Sequence, residues 1–358
     1  MINFVIKRLA YGLLVLWGVL TVVFFIFNIL PGDPARMMLG QRADQAAVDE
    51  IKRELGMDRS ILVQYAIYLN DLSPLSFHHK NKNASTYYDA KKYQGTVLLS
   101  IKQYKLALKA PYLRRSYQSQ KEVSAILAES IGETAVLALA SILLAGLVGI
   151  LFGLLAALFQ DSFFDRALLF IATLGMALPS FFIGVIVAWL FGFVWSDLTG
   201  LNMTGSLYEV DDLGRGEYLQ LSNLILPALT LGVRPLSVIL QLSRNALLEV
   251  LQMDYIRTAK AKGLAQSTVV LKHALKNAMN PVLTALSGMF ASLMAGAVFV
   301  EIIFSWKGIG WEIVNALEKY DLPIVMGAVL LIAAIFVLIN IIVDLLYGVL
   351  DPRVRIKS

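Results

Sequence analysis

The residues with the chemistry of a catalytic or metal site are few in this chain of 358 residues, and none stands in a pattern that would let it act. There is no cysteine, which excludes a disulfide framework, a thiolate metal site and a thiol redox centre. Of the three histidines, His78 and His79 are adjacent, so they would not share a helix face, and no ligand cluster of metal-binding spacing accompanies them. No phosphate-cradling GxxxxGK[ST], no HExxH and no GxSxG turn occurs anywhere. The sequon Asn83-Ala84-Ser85 is too common by chance to carry weight. The sequence therefore predicts no catalytic residue, no metal site, no cofactor and no enzymatic activity. Two features remain. One is Arg234, a charge inside an apolar run. The other is the basic stretch DYIRTAKAKGLAQSTVVLKHALKNAMNP, Asp254 to Pro281.

The elements that must hold these residues are membrane helices. Apolar residues make up 58% of the chain and charged residues 16%, against about 45–50% and 25% in soluble domains. The apolar residues fall in runs near 9–30, 134–159, 167–195, 223–246, 281–303 and 323–348. About 20 apolar residues span the hydrocarbon core, and a backbone inside lipid must bond within its own segment, so each run is read as a helix. The first is too long for a cleaved signal core, and Pro-Gly-Asp-Pro at 31–34 follows it in place of a cleavage site. Eleven Lys and Arg fall on the segments 1–8, 160–166, 247–280 and 349–358, against Arg215, Lys307 and Lys319 in the short loops 196–222 and 304–322. The positive-inside rule then places both termini in the cytoplasm. The net charge of +5 needs no nucleic acid to explain it. The fold class expected is an all-α polytopic membrane protein with six transmembrane helices and a large external region after helix 1.

Three divisions follow: 1–30 for the N-terminus and first helix, 31–133 for the external region, and 134–358 for the transmembrane core. Within the external region, 44–57 and 119–131 pattern as short amphipathic helices, the first with Val48, Ile51 and Leu55 on one face. The second carries Val123, Ile126, Leu127 and Ile131. The stretch near 73–111 is polar and rich in Lys and Tyr. A second external loop is acidic, with Glu209, Asp211, Asp212 and Glu217. The size of 31–133 suggests that it forms, with 196–222, a surface for a partner. In the membrane, Gly146, Gly149 and Gly153 on the second span, and Ala291 and Ala295 on the fifth, are assigned to close helix packing. Pro179 and Pro235 interrupt spans, and freed backbone groups there need partners. A central charge costs roughly 2.5–3.5 kcal/mol on insertion scales, so Arg234 is read as lining a pathway, with a structural ion pair as the alternative.

The basic stretch carries more than charge. Arg257–Ala261 and Thr268–Ala278 suit helix, and Gly263 between them suits a helix-ending turn. Val269, Val270 and Leu271 read as an apolar face that docks into a partner's groove. This loop resembles the cytoplasmic coupling loop of ABC-importer permease subunits, whose pattern is Glu-Ala-Ala, three residues, then Gly. Counting back from Gly263 puts Arg257, Thr258 and Ala259 at the first three positions. The glutamate is missing, and RTAKAKG is the form typical of the dipeptide and oligopeptide branch. Other stretches agree in order: IKRLAYGLLVLWGVLTVVFFIFNILPGDP, LGMDRSILVQY, MALPSFFIG, EIIFSWKGIGW and NIIVDLLYGVLDPRV. The resemblance covers 1–70 and 112–358, and the stretch near 73–111 stands outside it as an insert. Lys307 stands where the family usually has proline.

The resemblance implies a B-type permease subunit in a bacterial plasma membrane, the inner membrane where there are two. It implies as partners a second homologous permease, two ATPase subunits and an external substrate-binding protein, besides the lipid bilayer. Cargo would be a peptide, with nickel complexes or glutathione as alternatives within the family. Contact with the ATPase would come from Arg257, Thr258, Ala259, Ala261, Gly263, His273, Asn277 and Pro281, with Ala259 and Ala261 where close approach is needed. Arg234 and Pro179 are the pathway candidates. An ion-coupled secondary transporter is the rival of another class, but Glu301 and Asp344 near span ends are poor coupling carboxylates.

Overall fold

A computed structural model describes residues 2–29, 46, 48, 49, 52, 57–81, 84, 86–211 and 216–350. Most of the helix expected over 44–57, the sequon residues Asn83 and Ser85, Asp212 and Arg215, and the basic C-terminal Arg353, Arg355 and Lys357 lie outside these residues. Contacts divide the chain into two units, one of Met1–Gly12, Ser130–Trp311 and Ala334–Ser358, the other of Leu13–Glu129 and Glu312–Ala333.

The long elements are helices where the apolar runs required them: α1 (Ile2–Ile29), α3 (Val123–Leu158), α6 (Ile225–Leu251), α8 (Leu275–Gly296) and α11 (Leu322–Leu350), with the short α2 (Ile61–Leu72) following α1. Among the described residues, five stretches are long and apolar enough to cross a membrane. The helix expected over 119–131 is not separate; it is the start of α3. The third expected span is broken into α4 (Phe163–Ala177) and α5 (Ser180–Trp189), which runs on as a π-turn to Val194, and the two halves meet at 109°. Leu178 and Pro179 are both extended (ψ 139° and 138°). The proline ring disfavours α geometry in the residue before it, so the helix stops there. Counting the pair as one crossing makes six.

In the first unit, α6 is the most buried helix and packs on α4, α5 and α8. Its approach to α3 depends on two of the glycines. A Cβ at Gly149 would stand 3.0 Å from the Leu236 carbonyl, and one at Gly153 2.6 Å from that of Leu240. Gly146 instead meets Leu286 of α8 at 3.4 Å. On the fifth span Ala291 is buried and Ala295 is exposed. Leu139, Leu143, Leu147 and Leu151 recur every fourth residue of α3 and are all exposed, as a lipid-facing stripe would be. Pro235 sits within α6 and is buried. The short α7 (Asp254–Ala261) lies between α6 and α8, and α9 (Val298–Phe304) follows α8.

The second unit holds α2, α10 (Ile309–Glu318, from Glu312 on) and the insert. Tyr68 of α2 stacks on Phe24 of α1 and Tyr65 packs against the same ring at a tilt, while Thr21 and Tyr65 share a hydrogen bond of 2.7 Å. The insert is not a plain polar stretch. It forms a three-stranded antiparallel sheet of β1 (Leu75–His79), β2 (Thr96–Ile101) and β3 (Tyr104–Leu108), in the order β1-β3-β2. Buried Asp71 at the end of α2 holds it, accepting from the Tyr93 hydroxyl at 3.0 Å and from Arg114 Nε at 3.3 Å. Asp321 binds the chain before α3 likewise, through the Ser116 hydroxyl and the backbone N–H of Tyr117 at 3.0 Å. The acidic loop of the first unit contributes a short hairpin, β4 (Tyr208–Val210) with β5 (Glu217–Leu219).

Candidate functional site: a glycine-capped helix and a broken span

Helix α7 is amphipathic in the smallest sense, since only two of its residues turn inward. Ile256 (0% exposed) and Ala259 (7%) pack with Leu247 and Val250 of α6 and with Val269 and Ala274. Arg257, Thr258, Lys260 and Ala261 are exposed. Arg257 lies 3.6 Å from Asp254, one turn back, and the Thr258 hydroxyl donates to the Asp254 carbonyl at 3.0 Å.

The helix ends on Gly263 as expected. Its N–H donates to the Lys260 carbonyl at 3.0 Å, and the Leu264 N–H to that of Ala259 at 3.4 Å. This pair of bonds is the Schellman motif, which needs a left-handed residue between its arms. Gly263 has φ +76°, and a Cβ there would meet no atom within 4 Å. The glycine is needed for its backbone angle, not for space.

Two expectations about the loop are corrected here. Ala259 is not available to a partner, because the amphipathic phase of α7 aims it into the subunit's own core. Val269 and Val270 are also buried, and of that apolar trio only Leu271 is exposed, at 58%. Nor is the second segment a separate helix: Gln266–Thr268 leads through a π-turn, Val269–Ala274, directly into α8. His273 is half-buried within that turn. Asn277 clasps α7 to the base of α8 by donating to the Tyr255 hydroxyl at 2.7 Å. Pro281 lies inside α8, exposed, and having no N–H it leaves the Asn277 carbonyl without a helical partner.

The pathway candidates come together at a second place. The break at Leu178–Pro179 leaves carbonyls at the end of α4 without helical donors. Arg234 Nη2 stands 3.5 Å from one of them, on Met176. A cation at a helix C-terminus is favourable by the dipole as well. Arg234 is exposed, as is Pro179, so the arginine marks the break on an accessible surface. A groove of about 540 Å³, lined by Leu139, Leu143, Leu147, Leu286, Phe290 and Ile339 among others, contains none of these residues.

Comparison with known families matches residues 149–356 to the binding-protein-dependent transport system inner membrane component, and residues 1–85 to that system's N-terminal membrane component. The chain belongs to this family. The dipeptide transport system permease of Alkalihalophilus pseudofirmus is 33% identical over 99% of this chain and 100% of its own. A di/tripeptide permease of Pseudomonas aeruginosa is 34% identical over 99% of each. The dipeptide permease of Escherichia coli is 32% identical over the whole of both chains. As a member of the family it is a multi-pass permease of the inner membrane. The two family models leave 86–148 unmatched, which includes β2 and β3 of the insert.

Two polar centres of this permease escape sequence reasoning. Asp165, at the start of α4, is held by Arg244 of α6 through two bonds of 2.7 Å, Nε to Oδ1 and Nη2 to Oδ2. Each sits near a span end, 79 residues from the other, so nothing local pairs them. Glu301 of α9 is fully buried. It accepts from the Thr134 hydroxyl at 2.7 Å and from the N–H groups of Gly310 and Trp311 at 2.7 and 3.1 Å. Those amides belong to the first turn of α10, so a carboxylate supplies the missing N-terminal acceptors. The close spacing of Glu301, Gly308 and Gly310 in EIIFSWKGIGW is the signal that could have shown it.

Proposed function

We propose that this chain is a transmembrane permease subunit of an ATP-driven importer whose cargo is a peptide. It forms half of the translocation pathway with a second, homologous permease, and two cytoplasmic ATPase subunits engage it through α7. An external binding protein delivers the cargo. The observation that carries this reading is α7 itself, seated by Ile256 and Ala259, stopped at Gly263, and presenting Arg257, Thr258, Lys260 and Ala261 outward. The peptide cargo rests on full-length identity to peptide permeases.

The geometry suits a lever. A push on the exposed face of α7 is passed to α6 through the apolar cluster and to α8 through the Asn277–Tyr255 clasp. Packed elements of this kind move as rigid bodies and switch between discrete arrangements. Arg234, at the break of the third span, is the charge that would meet the carboxylate of a passing peptide. Ion coupling is disfavoured because the carboxylates named as its candidates, and Asp165 beside them, are engaged: Glu301 by α10, Asp165 by Arg244, and Asp344 by Arg8 at 3.0 Å.

The test is reconstitution. The chain, coexpressed with its second permease and ATPases, should copurify with them and take up a labelled dipeptide in proteoliposomes only when ATP and the binding protein are supplied. The purified single chain should hydrolyse no ATP. Uptake driven by an ion gradient without ATP, or hydrolysis by the single chain, overturns the reading.

A further inference from the structure

The insert's sheet is turned inside out. Residues opposite each other across antiparallel strands share a face, which groups Leu75 with Leu108, Phe77 with Leu106 and Leu99, and His79 with Tyr104 and Ile101. This apolar face is the exposed one: Phe77 and Ile101 are each 64% exposed, Tyr104 56% and Leu99 54%. The other face carries Ser76, His78 and Ala107, all fully buried, with His78 and Ala107 packed against Tyr88 and Tyr93. Soluble monomers rarely leave a contiguous apolar patch of more than a few hundred Å² uncovered. β2, an edge strand reading Thr-Val-Leu-Leu-Ser-Ile, also lacks the charge or proline that normally guards such an edge.

What lies next to this face points to its occupant. Helix α2 packs through Tyr65 and Tyr68 on residues of α1 that lie within the apolar span Ile6–Phe27, while its Ile61, Leu62 and Val63 remain exposed. The side chain of Asn70 on α2 brackets the backbone of Phe77, donating to its carbonyl at 3.0 Å and accepting from its N–H at 2.7 Å. The sheet is thus fixed to a helix that lies against a membrane span. At the far end of the sheet, Lys80 bonds to the β2–β3 turn and is exposed, as is Lys102. They stand beside Tyr104, a residue type enriched at membrane interfaces. Lysines at such a rim reach phosphate groups while their stems cover apolar surface.

We propose that this face is a lipid-contact surface, resting in the headgroup–acyl boundary of the bilayer that α1 crosses. Leu75, Phe77, Leu99 and Ile101 enter the acyl edge, and Lys80 and Lys102 meet the phosphates. At that depth the open edge of β2 still finds water, so the exclusion of unpaired strands from hydrocarbon is respected. The inference rests on the membrane spans and not on the transport reading.

Because the chain has no cysteine, single cysteines can be placed without background. Phe77→Cys, Leu99→Cys and Ile101→Cys in the full chain are spin-labelled and reconstituted in phosphatidylcholine–phosphatidylglycerol vesicles. Asp89→Cys serves as the water-exposed reference and Leu147→Cys as the lipid-exposed one. Relaxation by oxygen, which partitions into lipid, is compared with relaxation by a water-soluble nickel chelate. The expected oxygen-to-nickel ratio at the three sheet positions is several-fold above that of Asp89 and approaches that of Leu147. A ratio equal to that of Asp89 overturns the proposal. So does protection from nickel that arises only when the external binding protein is added, which would make the occupant a protein.

Discussion

Helix α7 and the insert's sheet solve the same problem in opposite directions. Each is a short amphipathic element beside membrane helices. In α7 the apolar pair Ile256 and Ala259 is buried by the subunit, and the cations face outward. In the sheet the subunit buries His78 and Ser76 and leaves Phe77 and Ile101 outside. The face that a chain buries against itself is therefore no guide to which face is apolar once lipid is one of the solvents.

The largest effect that would break this contrast is expected at Ala259. Ala259→Glu drives a carboxylate among Ile256, Val269 and Ala274, and should cost roughly 3–5 kcal/mol. It is read as a loss of thermal stability in detergent. Ala261→Glu, one turn-face away and exposed, should leave the melting temperature unchanged and weaken ATPase copurification. If the two behave alike, α7 has no inward face.

Gly263→Val comes next. A left-handed backbone costs a non-glycine residue about 1–2 kcal/mol, and more for a β-branched one. The spans should still insert, while ATP hydrolysis by the complex no longer drives uptake. Gly263→Asn should restore part of the uptake, because asparagine tolerates positive φ. Equal uptake by all three proteins would leave the turn without a role.

A smaller loss is expected from Asn277→Ala, which removes the exposed clasp to Tyr255 and should cost about 0.5–1.5 kcal/mol. Its signature is a lower ratio of peptide transported to ATP hydrolysed with ATPase binding intact. An unchanged ratio would show that α7 and α8 are not linked there.

The smallest effect belongs to the sheet and depends on pH. Burial, and after it the charge of Lys109, holds His78 below the ordinary histidine value. The unfolded insert then binds more protons than the folded one between that lowered value and about 6.5. Stability accordingly falls as pH drops from about 6.5 towards the lowered value. Hydrogen exchange at β1 and β3 should be faster at pH 5.5 than at 7.5 relative to α3, and His78→Gln should remove the difference.

Much of this protein was legible without coordinates. Apolar runs of about 20 residues admit only helices in lipid, and a glycine between two helical patterns admits only a turn. Pro179 marked the break in the third span because a proline disfavours α geometry in the residue before it, whereas Pro235, read in the same way, stays inside an unbroken α6. Tertiary structure decided the rest. The bend of 109° at that break, the inward aim of Ala259, Val269 and Val270, and the pairing of Asp165 with Arg244 depend on neighbours far away in sequence. Glu301 is the clearest instance: as a sequence position it is a charge near a span end, and in the fold it completes the first turn of α10. The sheet shows the limit from the other side, since alternation can say that a strand has two faces but not which of them the surroundings will cover. That is settled by what packs against each face, a long-range property that no local pattern of residues contains.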